Sequence, residues 1–277
     1  FQTHYGHNLS LLHKSQLVPY KNQLVSGGEQ GLLRLWNTNG QLLKLWRHGE
    51  DDDGAVLALG VSPDGQTVVS EAEDGILKAW DITKTPPQLR YEVPLRLTSG
   101  GEIAAVFQIA FHPRGEVFVV ASELRDVHVY DAATGSLLTT LRAPNTHSLV
   151  FNPSGNLLAT GRSSTSVDVW SLTTQEGKLC FPERPECPDK IEKRTFRNPK
   201  GFEGTLYALA FSPDDHLLLG INNDRDLTMW DVATGAVRSE VRMSNFTGDL
   251  MFLSNNTLFV SAGVGNKGGS LSIFQIE

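Results

Sequence analysis

His48, Ser70, Asp74 and Trp80 bring the residue types of a nucleophilic triad, plus an indole, into one stretch of chain. In such a triad a serine hydroxyl attacks while a histidine takes its proton, and the serine must be exposed beside an oxyanion hole. Nothing around Ser70 indicates either feature. Three further groupings invite chemistry. Gly263-Val264-Gly265-Asn266-Lys267-Gly268-Gly269-Ser270 has the glycines, lysine and serine of a phosphate loop, but in the wrong order and followed by a strand rather than a helix. It reads as an enlarged hairpin turn. Glu50-Asp51-Asp52-Asp53 offers carboxylates for a hard cation but lacks the spaced ligands of a calcium loop, so it reads as a solvated loop and no metal is assigned. Cys180 and Cys187, the only cysteines, flank a Pro-rich loop without Cys-x-x-Cys or His-x-x-x-His partners. Two free thiols are expected there, with a disulfide as the alternative in an oxidising compartment. No cofactor is expected.

The elements that hold these residues are repeats. Leu12 to Asn37 overlays Val56 to Asp81 without a gap in hydrophobic pattern, turn residues and final Trp. The aromatics Trp36, Trp80, Tyr130, Trp170, Trp230 and Phe274 mark six such units, and a period of this length signals a solenoid, a propeller or an array. Each unit begins with a run and a tight turn: Ser62-Pro63-Asp64-Gly65, His112-Pro113-Arg114-Gly115, Asn152-Pro153-Ser154-Gly155 and Ser212-Pro213-Asp214-Asp215. Proline presets φ in a β-turn, and Asp, Ser and Gly suit the positions after it. After the aromatic, Asp131-Ala132-Ala133-Thr134-Gly135 and Asp231-Val232-Ala233-Thr234-Gly235 turn the chain into a fourth run. Runs such as Glu116-Val117-Phe118-Val119-Val120 are rich in β-branched and aromatic residues, so four strands per unit and almost no helix are expected.

Strand, SPDG-like turn, strand ending in Ser or Thr, Asp-Gly turn, and strand ending in Trp-Asp together resemble the WD-repeat β-propeller family over nearly the whole chain. Trp80-Asp81 and Trp230-Asp231 carry the signature dipeptide, while Trp36-Asn37, Trp170-Ser171, Tyr130-Asp131 and Phe274-Gln275 are degenerate copies. The resemblance implies an all-β propeller of four-stranded antiparallel blades, six in number, with seven as the alternative. It also implies that the first strand of the chain completes the last blade, a place that Phe1 to His4 would take. His48, Ser70, Asp74 and Trp80 then form a structural tetrad rather than a catalytic site, and Trp80→Ala should lower stability while sparing binding. Unit one keeps His7, Ser26 and Trp36 with Gln30 in the Asp place; unit four keeps Thr160 and Trp170 with Ser164 there; unit five keeps Asp224 and Trp230 with Gly220 in the Ser place.

Residues 1–277 are expected to form one propeller domain, because 277 residues leave no room for a second. Hydrophobic content of 40% with 20% charged residues fits a folded chain. The net charge of −7 argues against a nucleic-acid or anionic-membrane surface, and no apolar stretch approaches a bilayer span. The start at Phe1 without Met is expected of a piece of a longer protein. A cytoplasmic address is expected.

Function should then lie in loops, which in this family gather on one face of the ring. Trp46 and Arg47 fall there, as do Arg125-Asp126 and Arg225-Asp226, which share one register before the aromatics of units three and five. An insertion at about 173–204 stretches the Trp170 to Trp230 interval to 60 residues; its basic part holds Lys193, Arg194, Phe196 and Arg197, and its removal is expected to leave the fold intact. Arginine is frequent in interface hot spots and can clamp a carboxylate or phosphate. The expected function is a non-catalytic scaffold that binds a protein or peptide, acidic in character, through these loops. The alternatives are a sensor or regulatory propeller of a larger signalling protein, and a propeller enzyme or small-ligand module.

Overall fold

The structure is a computed structural model of the chain. It describes residues 12–18, 21–49, 54–95, 106–122, 126–162, 166–175, 178–181, 187, 192–197, 204–243, 247–255, 257–262 and 271–275. Phe1 to His4, Glu50 to Asp53 and Gly263 to Ser270 lie outside these residues.

The period-2 runs form strands as expected, and the only helical turn among the described residues is a three-residue one at Glu29–Gly31. Residues 1–124 and 128–138 make one compact unit, and residues 125–127 and 139–277 another. The first unit holds two antiparallel four-stranded sheets and most of a third, whose last strand ends beyond residue 138. They are β1 (Leu12–Val18), β2 (Gln23–Gly28), β3 (Leu32–Asn37) and β4 (Leu42–Arg47); β5 (Val56–Val61), β6 (Thr67–Ala72), β7 (Ile76–Asp81) and β8 (Gln88–Pro94); and β9 (Val106–Phe111), β10 (Val117–Ser122), β11 (Val127–Asp131) and β12 (Leu137–Leu141).

In the second unit, β13 (Thr146–Phe151), β14 (Leu157–Arg162) and β15 (Ser166–Ser171) are followed by a separate hairpin of β16 (Thr173–Gln175) and β17 (Lys178–Cys180) before β18 (Lys193–Arg197) completes their sheet. Next come β19 (Leu206–Phe211), β20 (Leu217–Asn222), β21 (Asp226–Asp231) and β22 (Val237–Arg242), then a three-stranded sheet of β23 (Thr247–Ser254), β24 (Thr257–Ala262) and β25 (Leu271–Gln275).

Turn chemistry sets the registers. Ser62 Oγ donates to Asp64 Oδ1 at 2.5 Å and accepts the Thr67 N–H at 2.9 Å, while Gly65, at φ +63°, returns its N–H to the Ser62 carbonyl. Ser212 does the same with Asp214 and Leu217, and Asp215 takes the left-handed position at φ +65°. Side-chain oxygens that satisfy nearby backbone N–H groups make such corners cheap to form. At the same end of the sheets, Asp131 and Asp231 accept the N–H and hydroxyl of Thr134 and Thr234.

First strands run side by side, β1 beside β5 beside β9 in one unit and β13 beside β19 beside β23 in the other. Between sheets, outer strands lay aromatics on the neighbour's turn. A Cβ on Gly135, at φ +72°, would sit 2.6 Å from the Tyr91 ring, and one on Gly235, at φ +73°, 2.8 Å from the Phe196 ring. Glycine is required there twice over, for the backbone conformation and for the space. Tyr91 also donates its hydroxyl to the Ala132 carbonyl, and Arg194 donates to that of Ala233. Buried clusters fill the gaps: Val25, Leu33, Trp46, Leu59, Val68 and Trp80 between the first two sheets, and Val167, Phe196, Leu206, Leu218 and Trp230 in the second unit.

Two expectations are corrected. The basic part of the insertion is not a loop: Lys193–Arg197 pairs with β15 from Ser166↔Arg197 to Trp170↔Lys193, which makes it the outer strand of its sheet. The true excursion is the short hairpin and the segment after it, and it is anchored by the buried Leu179, Cys180 and Phe181. Cys180 and Cys187 are not free thiols but a disulfide, their Cα atoms 5.4 Å apart.

Candidate functional site

The four residues that resembled a triad form one chain of contacts. His48 follows β4, where its N–H meets the Gly31 carbonyl, and its ring reaches into the second sheet. Nδ1 lies 2.8 Å from Ser70 Oγ, which also accepts the Trp80 indole N–H at 2.9 Å. His48 Nε2 lies 3.4 Å from Asp74 Oδ1, within ion-pair reach but outside hydrogen-bond geometry. Lys78 donates to the His48 carbonyl at 2.8 Å and stands 3.7 Å from Asp74 Oδ2.

Burial, with Lys78 adding to it against the pull of Asp74, lowers the His48 pKa to about 4, so the ring is neutral at pH 7. Ser70 is completely buried and its oxygen is engaged by the indole. Such a hydroxyl is placed to join strands rather than to meet a substrate. Ser70→Ala would leave two buried ring nitrogens without their partner, and is expected to cost about 2–4 kcal/mol in a denaturant melt.

Other sheets keep parts of this chain. Trp36 donates to Ser26 Oγ at 2.8 Å and Trp170 to Thr160 Oγ1 at 3.3 Å. Beside Gly220, where a Cβ would stand 3.0 Å from the Trp230 ring, the buried Trp230 Nε1 has no hydrogen-bond partner. His7 and Ser164 lie outside the described residues.

The binding candidates separate into three groups. Trp46 and Phe196 are corrected: both are buried, Trp46 edge-on to Trp80 at 6.5 Å and Phe196 in the cluster with Trp230, so neither ring can meet a partner. Each alternates with exposed neighbours in an outer strand, Trp46 with Leu45 and Arg47 and Phe196 with Thr195 and Arg197, which was the available signal. Lys193 and Arg194 are drawn inward. Lys193 Nζ lies 5.1 Å from the Trp170 ring centroid and 3.4 Å from Asp168, and Arg194 stacks on Phe196. Arg47 donates to the Gln30 carbonyl at 3.1 Å and is exposed, as is Arg197. Arg125 lies outside the described residues.

Arg225 is half-buried at φ +72°, in the turn position that Gly75 fills at φ +71° in the second sheet. A side chain in left-handed backbone costs about 1–2 kcal/mol, partly offset by the lower unfolded-state entropy of a non-glycine residue. Arg225→Gly should therefore raise stability by roughly 0.5–1 kcal/mol, read as a higher Tm. A fall in Tm would show that the side chain stabilises the turn.

Sequence reasoning missed two buried acids. Asp168 is fully buried, held by Arg162, by Lys193 and by the Thr195 hydroxyl at 2.7 Å. Glu71 on β6 is also fully buried, yet neither carboxylate oxygen has a hydrogen-bond partner. Burial, with the Asp74 and Glu73 charges adding to it, pushes its pKa up to about 8. Among the described residues no group of three His, Cys, Asp or Glu side chains converges as a metal site. Nor is any helix among them long and apolar enough to cross a membrane.

Comparison with known proteins places this geometry. The family model for the WD domain, G-beta repeat, matches residues 40–81 and 135–171. Telomerase Cajal body protein 1 of Homo sapiens is 30% identical over 193 residues, which cover 61% of this chain and 32% of that protein. Striatin-3 of Rattus norvegicus is 24% identical over 199 residues, covering 70% of this chain and 23% of that protein. Telomerase protein component 1 of Mus musculus is 27% identical over 133 residues, covering 47% of this chain and 5% of that protein. The chain thus spans about a third or less of the length of these relatives. The matched repeats, the four-stranded antiparallel sheets and the serine-to-indole bonds agree: this chain carries WD repeats.

Proposed function

We propose that the chain is a non-catalytic interaction module that binds a protein or peptide through the loops at the ends of the sheets where the first strands begin. The observation that carries this reading is the state of Ser70: it is buried and bonded to an indole, which takes the one triad-like set out of reach of a substrate. Likeness to WD-repeat proteins such as Striatin-3 supports a scaffold role. Loops carried on packed sheets suit recognition, since binding residues concentrate on such loops. The partner in this proposal is a protein with acidic character, without nucleic acid or membrane, and Arg47, Arg197 and Arg225 are the residues assigned to it. The single six-bladed ring expected from the repeats belongs to the same proposal.

Cross-linked capture from native cell extract, comparing wild type with a folded Arg47→Glu/Arg225→Glu variant, tests it. Loss of specific partners with an unchanged melting temperature supports the reading; an identical set of partners rejects this end of the sheets as the binding face. The cytoplasmic address is tested by fractionating cells that express the tagged chain: recovery in the cytosol supports it, and recovery in an oxidising compartment, where a Cys180–Cys187 disulfide persists, contradicts it.

A further inference from the structure

Within the second unit, the end of the fifth sheet where β19 begins combines an exposed aromatic pair with several cations. Tyr207 stands 47% exposed in a strand whose other residues, Leu206 and Ala208 to Phe211, are buried. It is pushed out by a bulge: Leu206 pairs with Asn222 and Ala208 with Ile221, leaving Tyr207 between them. β13 has the same irregularity, with Thr146 opposite Arg162 and Ser148 opposite Gly161, and so presents His147. The two rings meet edge to face at 6.2 Å. The same register shift opens the first strand of each of the six larger sheets and so belongs to the repeat; particular to this end is that two neighbouring strands place an aromatic surface there.

Cations stand at that end too. Arg225 holds its left-handed turn one residue before β21, its N–H on the Asn222 carbonyl and its own carbonyl accepting from Met243. Arg242 ends β22 with its side chain 65% exposed, and Arg197 ends β18, also exposed. Asp168 and Asp226 are buried, the latter 3.8 Å from Arg242, whereas Asp224 presents an exposed carboxylate at the turn. Among the residues of this end whose exposure is described, three arginines that are exposed or half-buried stand against one exposed aspartate, on a chain whose net charge is −7.

From this juxtaposition we infer that the β19 end of the second unit docks an acidic peptide segment. Its carboxylates meet Arg225 and Arg242, and an apolar side chain lies on the Tyr207–His147 pair. The inference rests on the interaction-module reading and names the partner's chemistry. Planar guanidinium groups match carboxylates, and aromatic anchors beside them supply apolar contact. A peptide is favoured over RNA because a chain of net charge −7 repels an extended polyanion beyond the local patch.

The test is fluorescence anisotropy of the full chain with a labelled glutamate-rich peptide carrying one central tryptophan, a lysine-rich peptide of the same length, and oligouridylate. Wild type should bind the acidic peptide at least about tenfold more tightly than either other probe, and more weakly as salt rises. Arg225→Gly should weaken binding about tenfold without lowering the melting temperature, and Tyr207→Ala about threefold or more. The exposed Lys84→Ala, in the first unit, should change nothing. Equal affinity for the lysine-rich peptide or for oligouridylate overturns the inference, as does unaltered binding by Arg225→Gly. If these arms fail while Arg47→Glu/Arg225→Glu still loses its captured partners, only the acidic-peptide chemistry falls. If the captured partners also survive, the interaction-module reading at this end falls with it.

Discussion

Deleting Lys193–Arg197 from the full chain is expected to abolish the cooperative melting of the second unit. This segment pairs with β15 along its length and inserts Phe196 into the cluster with Leu206, Leu218 and Trp230. Losing a buried Phe costs about 3–5 kcal/mol. Asp168 would keep Arg162 but lose Lys193 and Thr195, and breaking the partnership of a buried charge costs about as much again. The combined loss is on the order of 6–10 kcal/mol, comparable with the whole stability of a typical domain. Circular dichroism and a thermal melt read the outcome. A sharp transition within a few degrees of wild type would mean that β18 is dispensable, as the sequence alone had implied.

Glu71→Gln is expected to stabilise the protein, increasingly so as pH rises. A folded-state pKa near 8, against an ordinary value of 4.5, means that Glu71 favours folding most below about pH 4.5. That contribution is lost as pH rises towards 8, because the unfolded chain releases a proton which the folded chain retains. The slope integrates to about 3 kcal/mol at pH 7 and to about 5 above pH 8. Its neighbours across the strands, Ala58 and Leu77, are apolar, and the charges acting on it, Asp74 and Glu73, have the same sign.

His48 works in the opposite direction. Its pKa is lowered from 6.5 to about 4, so its contribution is full above pH 6.5 and is lost as pH falls through 4. The two slopes nearly cancel between about pH 4.5 and 6.5, so wild-type stability should be almost flat there, highest near pH 5.5, and should fall above pH 6.5. The glutamine variant should lose that alkaline decline and show the full acid one below pH 6.5. Urea melts between pH 4 and 9 decide it; an alkaline limb unchanged in the variant would show that another group carries the titration.

The repeats were legible because their turns are chemically explicit. Ser62-Pro63-Asp64-Gly65 and Asp131 with Thr134 and Gly135 fix corners through bonds within a few residues, and the aromatic ten residues after Ser26, Ser70 or Thr160 marks the partner strand. What stayed hidden depends on contacts distant in sequence. β18 is basic on its exposed face and follows β15 only after the excursion from Leu172 to Glu192, so nothing local announces it. Trp46 and Phe196 looked like exposed anchors until the neighbouring sheets covered them. Glu71, in the polar-looking Ser70-Glu71-Ala72-Glu73-Asp74, read as surface because its burial is imposed by neighbouring elements. The bulges at His147 and Tyr207 leave no mark in composition, since only the paired strand reveals the extra residue.

The most direct test of the interaction-module reading is hydrogen exchange of the full chain with and without a captured partner. Slower exchange at residues 204–207 and 222–226, with the turns at 62–65, 112–115, 152–155 and 212–215 unchanged, is the predicted result. Protection confined to those turns, with none at 204–207 or 222–226, would place the partner at the opposite end of the sheets and contradict the account.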